Sequence, residues 1–263
     1  MNQLSSYKQA TQTPTAAECF NYPLLKTFKK SDFTRRRPFP WYNFQSLLTD
    51  ATFQQLYADF PALDFFETHQ SIARKYGQRS HDRYYLAYEE TIYRNLEREP
   101  QKGVIHHEQL PESWQHFIRS LQTDPIYRRF ICNLLGVRTF TARYAWHVAT
   151  AGRSVSPHVD ARDKAGTHIF YFNTSEDWRS QWGGATLVLQ GKNYPGLNPE
   201  ISDFSKVEAV EIMNNRSFLF KNKPDAWHAV DTINCPPATY RRIFNVIFEL
   251  PQQKSFFHGL FGR

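Results

Sequence analysis

The sequence predicts an α+β protein with a mainly β core, in which N-terminal helices pack on a double-sheet jelly roll of the cupin-like kind. Up to Gly136, apolar side chains recur at helical spacing. Beyond it, short β-branched and aromatic runs alternate with Gly, Pro, Asn and Asp. No helical pattern separates these runs, which favours antiparallel pairing.

Three segments of the first half have a helical pattern. The first covers residues 47–60, with Thr49 or Asp50 as its N-cap and Pro61 as its stop. The second places four apolar side chains on one face, namely Trp114, Phe117, Ile118 and Leu121. The third starts at "DPIYRRF" and ends at Gly136, a typical C-terminal cap. Residues 81–97 fit a strand or a helix equally well.

The termini and the basic segment complete the predicted organisation. Residues 1–20 are polar, and residues 26–40 form a basic strap that we expect to be extended, because proline disfavours helix in the residue before it. We therefore divide the chain into three parts: residues 1–136 as tail, strap and helical support, residues 137–250 as the β domain, and residues 251–263 as a C-terminal tail.

Five runs of the β domain have strand character. They are "TFTARYAWHVAT", "THIFYFN", "GATLVLQG", "AVEIMNNRSFLFKN" and "YRRIFNVIFEL". Their lengths and the turn residues between them fit strands that fold back on each other in two sheets.

Composition excludes several classes of protein. Aromatic residues make up 16% of the 263 residues, which predicts a packed core rather than disorder. The net charge of +7 favours anionic partners, but the basic residues are scattered and no nucleic-acid-binding motif is present, so nucleic acid is not expected. Three distant cysteines fit a reducing cytoplasm, and no apolar run is long enough to span a membrane.

Two histidines and an aspartate form a candidate metal site. His158 and Asp160 are two residues apart, so both side chains project from the same side of an extended strand. His228 follows seventy residues later, between two strand-like runs. Two imidazoles and one carboxylate are the facial triad of non-haem Fe(II) sites, which leaves coordination positions open. The sequence therefore predicts that His158, Asp160 and His228 bind iron and form the catalytic centre.

An arginine for a dicarboxylate follows in the last strand. Arg241 and Arg242 lie thirteen and fourteen residues after His228. A dicarboxylate that chelates iron at one end needs a partner for its far carboxylate, and a guanidinium provides a bidentate, permanently charged one.

With these motifs, residues 137–250 resemble the Fe(II)- and 2-oxoglutarate-dependent oxygenases, most closely their prolyl-4-hydroxylase-like branch. "HVD" resembles the family's metal strand, "IFYFNTSEDW" its tyrosine-containing strand, "WGGATLVL" its paired glycines, and "NRSFLFKNKPDAWHAV" the segment with the distal histidine. The resemblance implies a double-stranded β-helix. It also implies that the hydroxyl of Tyr171 binds the 2-oxoglutarate carboxylate.

The resemblance leaves two choices for the cosubstrate arginine. If it is Arg241, then Ile243, Asn245 and Ile247 point inward with it, whereas Arg242 points inward if the faces are reversed. A small polar group beside the cosubstrate suits Asn245, which favours Arg241. The spacing from His228 to either arginine is a few residues longer than in animal prolyl hydroxylases.

The implied activity is that of a dioxygenase with Fe(2+), 2-oxoglutarate and O2. It would hydroxylate a C–H bond of a protein side chain or an amino-acid-like substrate and release succinate and CO2. Asp160 favours hydroxylation over halogenation, because halogenating members have a small residue there. Two alternatives remain, a tailoring oxygenase of a secondary metabolite and a non-catalytic jelly-roll binding module.

The other histidines are interpreted from their sequence context. His106 and His107 lie beside charged residues and are expected at the surface, and His81 has no evident partner and is expected to be structural. His147, close to the metal strand, is a candidate for the pocket lining. The Tyr- and Arg-rich residues 62–108 are candidates for a cover over the site.

Overall fold

A computed structural model describes residues 18–72, 78–94 and 99–251. The predicted tails therefore lie largely outside the described residues, which begin at Glu18 and end at Pro251. Two sheets and a layer of helices form the described part. This is the double-stranded β-helix with N-terminal helices that the sequence predicts.

The larger sheet has eight strands and carries residues from both halves of the chain. Its strands run in the order β1-β10-β7-β12-β5-β3-β2, and β4 pairs with β3. The bounds are β1 Trp41–Gln45, β2 Glu67–His69, β3 Arg83–Tyr88, β4 Val104–Ile105, β5 Thr141–Ala149, β7 Lys164–Tyr171, β10 Arg216–Lys221 and β12 Arg241–Glu249.

The smaller sheet has four strands in the order β6-β11-β8-β9. Their bounds are β6 Val155–His158, β8 Thr186–Lys192, β9 Phe204–Ala209 and β11 His228–Val230. Strands β6 and β11 are short. The strand β6 ends with His158 of the expected metal strand, whereas β11 was not among the predicted strands. β-strand propensity gives little signal over three or four residues.

Helices cover the outer face of the larger sheet. They are α1 Tyr22–Thr27, α2 Lys30–Thr34, α3 Asp50–Ala58, α4 Glu112–Thr123 and α5 Pro125–Leu135. Thr49 caps α3 by accepting a hydrogen bond from Thr52 N, and Gly136 ends α5 in the left-handed conformation. All four apolar residues predicted on one face of α4 are buried: Trp114, Phe117, Ile118 and Leu121. These predictions are confirmed.

Two expectations for the first half are wrong. The basic strap is not extended throughout, because α1 ends inside it and α2 lies within it. Phe33 is fully buried, and this burial stabilises α2 against the sheet despite the prolines that follow at positions 38 and 40. The first half is also not only helical, since β1 to β4 extend the larger sheet. The ambiguous segment at 81–97 begins with a strand, β3.

Alternation along β12 separates the two cores. Phe244, Val246 and Phe248 pack into the cluster shared with the helices. Ile243 packs on the opposite face, in the cluster between the sheets that also contains Tyr171 and Val188. The face of β12 that carries Ile243 therefore lines the interior of the barrel. No helix in the described residues is both long and apolar enough to cross a membrane.

Candidate active site

Strand pairing brings the two candidate metal histidines together. His158 at the end of β6 is the register partner of His228 at the start of β11, and their ring centroids are 4.2 Å apart. Asp160 follows β6 directly. One potential ligand atom from each of His158, Asp160 and His228 lies within 4.8 Å of the other two, so the predicted set forms one cluster.

Backbone carbonyls orient both imidazoles. The Nδ1 atom of His158 lies 2.9 Å from Ser156 O, and that of His228 lies 3.0 Å from Ala226 O. Because a carbonyl only accepts hydrogen bonds, both Nδ1 atoms carry the proton and both Nε2 atoms retain a lone pair. This is the arrangement in which histidine ligates a metal while its other nitrogen is held by a partner.

Asp160 is held as an ionised carboxylate. Its Oδ1 lies 2.9 Å from the Lys164 ammonium, and its Oδ2 accepts a hydrogen bond from the Thr167 hydroxyl at 3.1 Å. Burial alone would raise the pKa of Asp160, but the Lys164 ammonium holds it below its usual value. The cluster thus offers two neutral nitrogens and one anionic oxygen, a donor set that fits Fe(II).

Arg241 is the buried arginine of the barrel interior. It is 5% exposed and forms no salt bridge with the described residues. One NH2 group lies 3.4 Å from Thr186 Oγ1, and its buried Nε has no hydrogen-bond partner. Burial lowers the pKa of Arg241, but a guanidinium stays protonated in proteins. A buried cation with unused donors is suited to an anionic ligand such as the far carboxylate of 2-oxoglutarate.

Tyr171 and Gly184 shape the space around this arginine. The Tyr171 hydroxyl donates to Thr186 Oγ1 at 2.7 Å, and burial raises the pKa of Tyr171 to about 12, so the phenol is neutral. Gly184 has a φ of +75°, and a Cβ there would lie 3.0 Å from Arg241 Cδ. The second of the two glycines in the "WGG" motif therefore leaves room for the arginine side chain.

Arg242 lies on the other face of β12. It pairs with Asp177, and its guanidinium lies 4.7 Å from the centroid of the Tyr57 ring and 5.7 Å from that of Phe60, on the helical side. The two arginines that the sequence left open are therefore distinguished by position. Arg241 faces the barrel interior, whereas Arg242 faces the helices and contacts Asp177 and Tyr57.

Asn245 lies on the interior face with a histidine beside it. Asn245 Nδ2 is 3.1 Å from His147 Nδ1, and the buried Asn245 Oδ1 has no partner. Burial, followed by the charges of Arg83 and His69, lowers the pKa of His147 well below its usual value, so the imidazole is neutral. Asn245 therefore shares the interior face of β12 with Arg241, and His147 lies beside it on β5.

His81 is the site residue whose position the sequence did not reveal. Its ring centroid lies 4.5 Å from that of His158, at an angle of 63°. Residues 78–82 lie near the metal cluster and are fixed at both ends. Arg79 binds Glu200 at 2.5 Å, and Asp82 binds Arg153 at 3.0 Å. His106, by contrast, is exposed and pairs with Glu89 at the surface.

Thr167, Thr186 and Lys164 also contact the predicted site residues, and the sequence analysis did not select them. Thr167 is four residues before Tyr171, and this even spacing places both on one face of β7. That spacing could have been recognised in the sequence. The contact between His81 and His158 could not, because it depends on the tertiary path of the chain between the two residues.

Comparison with known proteins agrees with this geometry. Residues 140–249 match the 2OG-Fe(II) oxygenase superfamily. No curated protein matches the sequence.

Solved structures share the fold at low sequence identity. A Pseudomonas putida prolyl-4-hydroxylase is 13% identical with a TM-score of 0.52, covering 86% of this chain and 99% of its own. A Trichoplax adhaerens prolyl hydroxylase in complex with a hypoxia inducible factor peptide is 15% identical with a TM-score of 0.53, covering 87% and 90%. The carbocyclase SnoK from nogalamycin biosynthesis is 12% identical with a TM-score of 0.54, covering 86% and 85%.

This superfamily uses Fe(2+), 2-oxoglutarate and O2, and the His-Asp-His cluster fits the iron. The match over residues 140–249, the shared fold and the His-Asp-His cluster together support a 2-oxoglutarate-dependent dioxygenase.

Proposed function

We propose that this enzyme hydroxylates a C–H bond of a protein side chain or an amino-acid-like substrate. His158, Asp160 and His228 would bind Fe(II), and Arg241, Tyr171 and Asn245 would bind 2-oxoglutarate. The observation that carries this assignment is the pairing of the metal cluster with a buried arginine that has no acidic partner among the described residues.

Iron and 2-oxoglutarate would supply the oxidising chemistry: 2-oxoglutarate would lose CO2 and take one oxygen atom of O2 to become succinate, and the other oxygen atom would enter the substrate C–H bond as a hydroxyl group. The chain supplies position and charge. His158 and His228 present lone pairs on Nε2, and Asp160 lowers the net charge at the metal. Arg241 neutralises the carboxylate that is remote from the metal, and the neutral phenol of Tyr171 has a hydroxyl for the same group.

Exclusion of water from the centre is assigned to the surrounding segments. Phe220 packs against His228 with ring centroids 4.7 Å apart, and residues 78–82 bring His81 against His158. A dry cavity strengthens the electrostatic interactions within it and prevents side reactions. The described part of the expected cover at 62–108 thus contributes at least one side chain to the site.

A protein substrate is supported by the likeness to the Trichoplax adhaerens enzyme, which is in complex with a peptide fragment. The alternative, a small-molecule substrate, is supported by the equal likeness to a carbocyclase from a biosynthetic pathway. The third alternative, a non-catalytic module, has less support, because residues 140–249 match an oxygenase family and all three predicted metal ligands form one cluster. We place the enzyme in the cytoplasm, because all three of its cysteines are free thiols and a reducing compartment keeps thiols free.

Succinate formation tests this proposal. The Fe(II)-loaded enzyme is incubated with 2-oxoglutarate, O2 and either a peptide library or a panel of amino acids and their derivatives. We expect one of the two substrate classes to raise succinate release. Its product should be 16 mass units heavier than the substrate, and the amount of product should equal the amount of succinate released above background. Succinate that never increases with either class, while 2-oxoglutarate binds normally, would contradict the proposed substrate range.

A further inference from the structure

Arg83, at the start of β3, is a second arginine with unused donors. It is half-buried, and its NH2 group donates to the Tyr93 hydroxyl at 2.9 Å, while the guanidinium lies 5.4 Å from the centroid of the Tyr85 ring. Its buried Nε has no hydrogen-bond partner. No acidic side chain pairs with it among the described residues. A guanidinium in this state keeps most of its five donors for a ligand.

The acidic side chains close to Arg83 along the chain and the sheet are engaged elsewhere. Asp82, the preceding residue, binds the Arg153 guanidinium at 3.0 Å and accepts from Ser71 N at 2.9 Å. Glu67, on the adjacent strand β2, lies 2.7 Å from His69 Nε2. No acidic side chain of the described residues therefore neutralises the positive charge of Arg83, and a bound anion would stabilise it.

Arg83 follows closely on a residue that contacts the metal cluster. His81, whose ring lies 4.5 Å from that of His158, is only two residues away. Two residues of extended chain span about 7 Å. Arg83 also shares the interior face of the larger sheet with Tyr85, and the Tyr85 ring lies 5.4 Å from that of His147.

The sheet register relates Arg83 to Arg241. Tyr84 pairs with Val148, and continuing this register by one residue places Arg83 opposite Ala149. Ala149 is in turn the register partner of Arg241. Strands are spaced by about 4.8 Å, so the Cα atoms of the two arginines are roughly 10 Å apart on one face of the sheet. The residue of β5 between them in this register is the small Ala149.

We propose that Arg83 binds a carboxylate of the substrate, and that this enzyme therefore selects substrates that carry a free carboxylate beside the oxidised C–H bond. This inference rests on the proposed function, in which Arg241 binds the carboxylate of the cosubstrate. Arg241 then binds 2-oxoglutarate, and Arg83 orients the substrate. A planar guanidinium matches a carboxylate with two parallel hydrogen bonds, which fixes direction as well as charge.

Matched acids and amides test this inference. Enzyme loaded with Co(II) and 2-oxoglutarate is mixed with N-acetyl amino acids and their primary amides, and paramagnetic relaxation of the ligand protons gives each affinity. A second arm uses short peptides with either a free or an amidated C-terminus, which separates a free amino-acid-like substrate from a chain terminus. For at least one pair in either arm, we expect the acid to bind at least tenfold more tightly than its amide.

Two variants assign the preference to the residue. Arg83→Met should reduce the acid preference to less than twofold, and Arg83→Lys should retain part of it because the charge remains. Arg138→Met is the matched control, since Arg138 is an exposed arginine in the turn between α5 and β5 and its loss removes the same charge. That variant should keep the full preference.

Wild-type enzyme that binds no acid better than its amide would overturn the inference, whatever the folding of the variants. A preference that survives in Arg83→Met would overturn it as well. The visible absorption band of the Fe(II) and 2-oxoglutarate complex shows whether a negative result contradicts only this inference or also the proposed function. A normal band without acid preference contradicts only this inference, whereas the absence of the band in wild type contradicts the proposed function.

Discussion

Arg241 and Arg242 are neighbours in the chain, yet their guanidinium groups lie on opposite faces of β12. Arg241 is buried beside Thr186 in the barrel interior, whereas Arg242 pairs with Asp177 on the side of the helices. Because side chains alternate along a strand, only Arg241 faces the barrel interior. The two residues should therefore respond differently to the same substitution.

Arg241→Met should weaken 2-oxoglutarate binding by at least about 100-fold, equivalent to about 2.8 kcal/mol, because a charge-assisted bidentate contact is lost. Calorimetric titration of 2-oxoglutarate into the Mn(II)-loaded protein measures this change. Arg242→Met is the control and should keep the wild-type affinity while unfolding at a lower temperature, since the partly buried Asp177 loses its ion-pair partner. The reverse pattern would assign the cosubstrate to Arg242.

Tyr171→Phe removes one hydroxyl from the pocket of Arg241 and leaves the ring in place. We expect the affinity for 2-oxoglutarate to fall about tenfold, the value of one hydrogen bond to a charged group. The affinity for the metal in the absence of 2-oxoglutarate should not change, because Tyr171 contacts Thr186 and not the His-Asp-His cluster. An unchanged 2-oxoglutarate affinity would remove Tyr171 from the cosubstrate site.

Thr167→Val tests how Asp160 is oriented. The Thr167 hydroxyl donates to Asp160 Oδ2 at 3.1 Å, and valine keeps the shape of the side chain but removes the donor. Loss of a hydrogen bond that orients a metal ligand typically weakens metal binding 10- to 100-fold, and we expect a loss of about tenfold here. Competition with a chelator of known affinity measures it. Tighter or equal Co(II) binding would show that Thr167 does not position this carboxylate.

The buried His168 predicts a pH dependence of stability. Burial lowers its pKa to about 3, and its two ring nitrogens lie 3.1 Å from the Tyr127 hydroxyl and 3.0 Å from Ser217 Oγ. The unfolded chain binds this proton near pH 6.5 and the folded protein only near pH 3. The contribution of His168 to stability is therefore complete above about pH 6.5 and declines as the pH falls toward 3.

His168→Gln removes this titration. Between pH 7 and pH 5, wild type should lose about 2 kcal/mol of unfolding free energy through His168 alone. Urea denaturation at the two pH values measures the loss, and the variant should show a smaller one by about that amount. Equal losses in both proteins would mean that His168 does not titrate in the unfolded chain as assumed.

The sequence was sufficient for the parts of the site that follow local rules. The two-residue spacing of His158 and Asp160 indicates that both side chains project to the same side. The alternation from Arg241 to Phe248 distinguishes inward from outward side chains. The tight left-handed turn before β8 is marked by paired glycines. These features are encoded by neighbours in the chain. The alternation and the glycine turn agree with the structure, and His158 and Asp160 share one cluster although β6 ends at His158.

The features that the sequence missed depend on long-range packing. Strands β1 and β3 come from the first half of the chain and join the larger sheet by pairing with β10 and β5, respectively. Neither strand shows a strict alternation of polar and apolar residues in the sequence. The residues around His81 contain no signal of their own, and their place beside His158 is fixed by ion pairs to Glu200 and Arg153. Tertiary contacts overrode local pattern here, as they did at α2 within the basic strap.

The most direct test of this account is an anaerobic titration of Fe(II) and 2-oxoglutarate monitored by visible absorption. Wild-type protein should develop the weak charge-transfer band of the ternary complex at one equivalent of iron. His158→Ala should show no band, because one of the three ligands is gone. A band that persists in His158→Ala would contradict the metal assignment on which the proposed function depends.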